Sequence, residues 1–263
     1  MTATFDIGPH RVISELPAGA LGRRFLTSVD ARAAIVETTC LRGHDEVVER
    51  AIRRVEVMAA LDHPHLVPVL DADLDGDVLF IVTPAPDRTA LDAAAEVDLE
   101  RTTRCLLAAL AHLHDRGVIH RDVQRRHIGW FGGDVRLGGL GLSEVVMGGR
   151  TQGIGPIGGV LTMAPSIVRG EPATFGSDLF SLGAVVHLLA TGEAVHDVRT
   201  ESLADRLRRI AVEPPRLAPA TPAALRPVIV AALAADGDAD AGGAARLHAE
   251  LTRLTSTTAG GHS

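Results

Sequence analysis

Lysine is missing from this chain. All 26 of its basic residues are arginine, so no chemistry that needs a side-chain amine is open to it, whether a Schiff base or a compact point cation. A GC-rich coding sequence explains a bias toward arginine and alanine, but the chemical consequence holds whatever the cause. Tyrosine is absent as well, and only two cysteines occur, Cys40 and Cys105. Two cannot make a disulfide framework and fit no metal-ligand spacing, which suits a reducing compartment. Long apolar runs are also lacking: residues 179–190 are broken by Ser181 and His187 and fall short of the roughly 20 residues of a membrane span. The opening MTATFDIGPHR has no basic start followed by an apolar run, as a signal peptide would. The expected location is cytoplasmic. Positive charge is not in excess either. With a net charge of -7, no nucleic-acid partner is expected, despite the local pair Arg125-Arg126.

What is present is material for a core. A chain of 263 residues, 46% hydrophobic, can form one large domain or two lobes with a shared interface. Its first part reads mostly as strands: residues 11–16 and 25–29 flank a glycine-containing turn, and 33–40 are a β-branched run. Residues 45–61 carry Val48, Ile52, Val55, Met58 and Ala59 at helical spacing. Residues 66–70 and 78–82 read as short strands joined through DLDGD. The longer stretch DADLDGD (71–77) imitates the start of a calcium loop, but its twelfth position holds Val82 where a bidentate Glu is needed, so Asp75-Gly76 reads as a hairpin turn. Pro84 and Pro86 then mark a boundary. Beyond it the period turns helical, over residues 99–114, 177–190, 203–210, 222–233 and 244–254, and 255–263 reads as a flexible tail.

Three stretches carry more than periodicity: LDHPHLVPVLD (61–71), LAHLHDRGVIHRD (110–122) and TMAPSIVRGEPATFGSDLFSLGAVVHLLATG (162–192). In this order and spacing they resemble the catalytic domain of the protein-kinase superfamily, in its bacterial eukaryotic-like Ser/Thr branch. The likeness covers roughly residues 10–254. It implies an α+β, bilobal fold: a small antiparallel N-lobe with one regulatory helix (1–83), a hinge (84–86) and a larger, mainly helical C-lobe (87–254) containing the activation segment (139–166).

The same resemblance implies a catalytic apparatus that is only partly present. Kinase chemistry needs cations around the transferred phosphoryl group and acids to hold the metal. Asp122 stands at the general-base position, within His120-Arg121-Asp122, but the neighbouring Gln124 departs from the family. Gly19 and Gly22 match two glycines of the phosphate loop, with Pro17 at the first. Val36 or Glu37, depending on register, stands where the phosphate-gripping lysine belongs. Its partner glutamate is Arg54, so the Glu37 register implies an ion pair with its charges exchanged. Gly139 replaces the principal metal-binding aspartate, and His127 the second ligand, an imidazole where hard, oxygen-seeking magnesium is expected.

The nucleotide pocket departs too. Thr83 takes the gatekeeper position, Pro86 cannot donate the N–H that meets adenine, and Gly129 lacks the side chain that packs beneath the base. Retained positions are structural: Asp178 as the buried acid tying the catalytic loop to a long helix, and Met58, Val69, His120 and Leu140 as a column of core residues. Ser166 and Asp240 replace a linked glutamate and arginine. The expectation is a lysine-free pseudokinase with no metal site and doubtful ATP binding, acting as a protein-binding scaffold or regulator in signalling. A divergent active Ser/Thr kinase using Asp122 as base is the alternative.

Overall fold

Strand alternation shapes the N-terminal part. A small hairpin, β1 (Asp6–Ile7) and β2 (His10–Arg11), precedes a five-stranded antiparallel sheet of order β3 (Ser14–Leu16), β4 (Arg23–Val29), β5 (Arg32–Cys40), β7 (Val78–Pro84) and β6 (Asp71–Asp75). The computed structural model describes residues 5–18, 22–41, 45–91, 97–140, 159–196 and 202–259. Because successive side chains on a strand point to opposite faces, β5 serves two cores. Ala34 and Val36 are fully buried with Phe80 and Val82 on one face, whereas Ile35 and Glu37 line the cleft on the other. The helix α1 (Asp45–Ala59) lies against Leu79 and Ile81, burying Ala51 and packing Val48, Val55 and Met58.

Two expectations are corrected here. The strand expected at 66–70 is in fact β6 (Asp71–Asp75); residues 66–70 form no strand and contribute the isolated bridge from Leu66 to Leu137 and the bonds of the Val67 and Leu70 N–H groups to the Leu137 and Val82 carbonyls. Pro68 has no N–H for a ladder, while the Asp-rich β6 gains its bonds from β7. The turn itself is as read: Asp75 faces Val78, and Gly76, at φ 58°, opens a two-residue loop. The strand expected over 11–16 is divided between Arg11, which ends β2, and β3, and the rest of the hairpin β1–β2 was not expected. That hairpin is held by contacts from outside itself, Phe5 edge-on to Phe25 at 5.3 Å and His10 Nε2 2.6 Å from Asp71 Oδ2.

The C-terminal part is mainly helical. The helix α2 (Leu99–His114) starts at Asp98, whose side chain accepts the Arg101 N–H. A small sheet of β8 (Arg88–Thr89), β9 (Ile128–Phe131) and β10 (Asp134–Leu137) follows, in order β10–β9–β8. A short helix α3 (Pro165–Val168) leads to α4 (Phe175–Thr191), which opens with a capping box between Thr174 and Ser177 and closes at Gly192 in the left-handed region. Leu179, Phe180, Leu182, Ala184, Val185 and Val186 are all buried, so α4 is apolar around most of its circumference and runs through the core. The outer helices are α5 (Leu203–Val212), α6 (Arg226–Ala234) and α7 (Gly243–Ala259). The tail expected from residue 255 is thus helical to Ala259; Thr255 and Ser256 donate their hydroxyls to the carbonyls of Leu251 and Thr252 within that turn. Among the described residues no helix is long and apolar enough to cross a membrane.

Candidate active site

The loop from Ile119 to Asp122 is held by one buried carboxylate. Asp178, near the start of α4, accepts the backbone N–H of His120 at 2.7 Å and of Arg121 at 2.8 Å, and lies 3.0 Å from His114 Nε2. Arg121 sits at φ 70°, a conformation that costs a non-glycine residue about 1–2 kcal/mol and that these bonds help to hold. His120 is fully buried. Its Nδ1 accepts the Asp122 N–H and its Nε2 donates to the Gly138 carbonyl at 3.0 Å, the bonding of a neutral ring. Burial pushes its pKa down to about 4.

The Asp122 side chain, partly exposed to the cleft, has three partners within the protein. Gln124 Nε2 donates to Oδ1, Arg126 Nη2 donates to Oδ2 at 3.3 Å, and His127 Nε2 lies 2.9 Å from Oδ2. Arg126 Nε also approaches His127 Nε2 at 3.1 Å. The two contacts at that nitrogen exclude each other as hydrogen bonds, and the Asp122 charge favours an N–H pointing at the carboxylate. Burial works to raise the Asp122 pKa, but the His127 hydrogen bond and the charges of His127, Arg126 and His120 outweigh it and bring the value to about 2.

His127 stands at the end of a single 3₁₀ turn, Arg125–His127, whose tightness brings its ring back toward Asp122. The ring fills the space beside Gly139. A Cβ added at Gly139 would lie 2.1 Å from His127 Nδ1 and 2.3 Å from Cγ, and Gly139 itself is at φ 73°. The residues present do not fit a magnesium site. An imidazole occupies the volume that a ligand at 139 would need, and among the described residues the carboxylate that meets this ring is Asp122, with Glu37 lining the cleft from β5. Among the described residues no three His, Cys, Asp or Glu side chains converge as a metal site.

Above this floor lies an interlobe cavity of about 140 Å³, small beside the ~300–1,000 Å³ usual for ligand sites. Ile35, Glu37, Thr83, Pro84, Pro86, Met58, Leu140 and Gly129 line it. The register of β5 is therefore the one with Glu37 facing the cleft; Val36 belongs to the opposite core. A Cβ at Gly129 would meet Pro86 Cβ at 2.9 Å and the Phe131 ring at 3.0 Å, so these two side chains close over the bare backbone. Arg54 Nη2 donates to the Ile119 carbonyl at 2.9 Å, tying α1 to the catalytic loop.

The protein kinase domain profile matches residues 22–222, most of the chain. The chain belongs to the protein kinase family. It is 30% identical over 236 residues to the probable serine/threonine-protein kinase PkwA of Thermomonospora curvata, a match covering 86% of this chain and 31% of that protein. Human serine/threonine-protein kinase 10 is 29% identical over 213 residues, 73% of this chain and 22% of the relative. PrkC of Bacillus subtilis is 24% identical over 245 residues, 87% and 38% respectively. The chain thus spans about a fifth to two fifths of the length of these relatives.

Against the kinase frame, the structure brings Asp122, His127, Gly139 and Leu140 together around the cleft, with Glu37 and Thr83 on its upper side. Of the column residues, Met58 packs against both the cluster holding Leu140 and the cluster holding Val69. Gly22 is a place of close approach: a Cβ there would meet the Thr38 carbonyl at 2.2 Å. Gly19 and most of the activation segment, residues 141–158, lie outside the described residues. Ser166 and Asp240, which replace the linked pair of the family, each bond to another partner. Asp240 pairs with Arg246 at 2.6 Å on the surface, and the residue that meets Ser166 is Asp236, accepting its N–H at 2.9 Å and its hydroxyl at 2.5 Å. The charged pair of the family is replaced by a hydroxyl and a carboxylate. Sequence reading missed Gln124 and Arg126 as Asp122 partners; their spacing of two and four residues along one loop was the available signal.

Proposed function

We propose that this protein kinase domain is a pseudokinase that works by binding a protein partner rather than by transferring phosphate. The observation that carries the reading is the imidazole of His127, packed into the space beside Gly139 and 2.9 Å from Asp122. Metal binding and base function are both compromised by that one side chain. A base must reach the hydroxyl it serves, and the Asp122 oxygens already accept from Gln124, Arg126 and His127. Removing one well-placed electrostatic stabiliser costs on the order of 10²–10³ in rate. Two such losses, if they multiplied, would take a kinase rate of about 1–100 turnovers per second down to a value on the order of 10⁻² to 10⁻⁶ per second. The reading includes a cytoplasmic location and regulation of an active kinase or scaffolding in signalling as the role.

A second reading has its own support: Asp122 lies at the cleft, and the relatives found carry serine/threonine-protein kinase names. Phosphotransfer from labelled ATP to a general acceptor, with magnesium or manganese, separates the two. The pseudokinase reading expects incorporation equal to that of Asp122→Asn. Incorporation well above that control overturns it in favour of a divergent kinase.

A further inference from the structure

The backbone edge of the interlobe cavity has lost its hydrogen-bond donors and kept its acceptors. Pro84 and Pro86, which line the cavity, have no N–H. The two neighbouring N–H groups are consumed: Ala85 donates to the Ala33 carbonyl at 3.0 Å and Asp87 to the Trp130 carbonyl at 2.8 Å. From residue 84 to residue 87 no backbone donor is left for a ligand. Acceptors remain. The Ala85 bond makes residues 33 and 85 a hydrogen-bonded pair, so by antiparallel alternation Ala34 and Pro84 form a non-bonded pair and the Pro84 carbonyl turns away from β5. On that other side the last bond from the β6 segment is Leu70 N–H to the Val82 carbonyl, two residues short of Pro84. Among the described residues no backbone N–H takes the Pro86 carbonyl.

The rest of the cavity agrees with this edge. Its remaining uncommitted polar group near the edge is the Thr83 hydroxyl, which donates or accepts as needed. Deeper in, a carboxylate, Glu37, faces the cleft, with Arg24 opposite it across the ladder. The walls are apolar: Ile35, Ile81, Leu66 and Phe131. Such a slot accepts a flat ring, and a ring edge bearing an acceptor would meet carbonyl oxygens there.

We infer that the cavity takes a planar heterocycle presenting N–H donors along one edge, without phosphates and without metal. Purine edges offer a controlled comparison. Guanosine presents adjacent N1–H and N2–H donors, whereas adenosine presents an N1 acceptor beside its amine. The inference rests on the reading of the site as one without metal, and it adds a ligand class to that reading.

The experiment is a thermal-shift titration of the full chain with guanosine, with adenosine and with magnesium ATP, repeated on Pro86→Ala. Guanosine should stabilise the chain with an affinity at least about tenfold better than adenosine, the worth of one mismatched hydrogen bond. Pro86→Ala restores one N–H at the edge and should move that ratio toward adenosine by about tenfold. Equal affinities, an adenosine preference, no shift with either nucleoside, or a ratio unmoved by Pro86→Ala would each overturn the inference. Phosphotransfer from magnesium ATP above that of Asp122→Asn on the same preparation would instead overturn the pseudokinase reading, so the two failures are read from different measurements.

Discussion

An aspartate introduced at position 139 would place its Cβ 2.1 Å from His127 Nδ1. Gly139→Asp is therefore expected to destabilise the fold by about 1–3 kcal/mol through overpacking, with backbone strain at φ 73° added. His127→Asn removes the obstructing ring. The double variant should recover at least about 1 kcal/mol relative to the sum of the two single effects, measured by urea unfolding. Strict additivity would mean that the two positions do not share space. His120 gives a pH prediction. Its folded pKa is lowered to about 4 by burial, while the unfolded chain takes up the proton near 6.5. Above that value the ring is neutral in both states. As pH falls from 6.5 toward about 4 the unfolded state alone binds the proton, and stability drops, by about 3 kcal/mol in all. Asp122 acts in a different window: its contribution is complete above 3.8 and is lost as pH falls toward about 2. The acid slope between pH 6.5 and 5 should therefore flatten in His120→Phe by about one proton. An unchanged slope would show that the other buried histidines carry it.

At the scale of elements, α3 is held to the turn after α6 by a single side chain. Asp236→Ala removes both bonds to Ser166 and should cost about 1–3 kcal/mol in urea unfolding. Asp240→Ala, which breaks only the surface pair with Arg246, should stay within about 0.5 kcal/mol. Equal costs would show that the Ser166 bonds contribute no more than a surface ion pair. The Ser166–Asp236 contact was not legible in the sequence, because several acids in the Ala/Gly/Asp-rich stretch offer the same local signal and the close approach of α4 to residues 235–238 selects one. A Cβ at Gly176 would meet the Ala235 carbonyl at 1.8 Å, and the Gly176 N–H donates to the Asp238 carbonyl. Where period was strong, as in α2 and α4, the elements were legible in the sequence. The strand β6 was not, because an Asp-Ala-Asp-Leu-Asp run has no β-branched residues and borrows its order from β7. In the site, the losses at 127, 139 and 86 were legible as substitutions. That His127 fills the place beside Gly139 was not, because a shared volume is a property of packing rather than of either residue.

For the whole molecule, a kinase domain works by closing two lobes on a metal-bound nucleotide. Here the cavity between the N-terminal sheet and the helical part measures about 140 Å³ and is narrowed by Pro86 from the edge and by His127 and Phe131 from the turn and strand opposite. The retained interactions are those that hold the shape: Asp178 on the catalytic loop, Arg54 on Ile119, and Met58 between two core clusters. The proposed role, presenting a surface to a partner, needs that shape and not the transfer of phosphate. The measurement that tests this most directly is a calorimetric titration of the chain with ATP in the presence of magnesium. The account predicts no heat of binding. Saturable, magnesium-dependent binding, abolished by further substitution at Asp122, would contradict it.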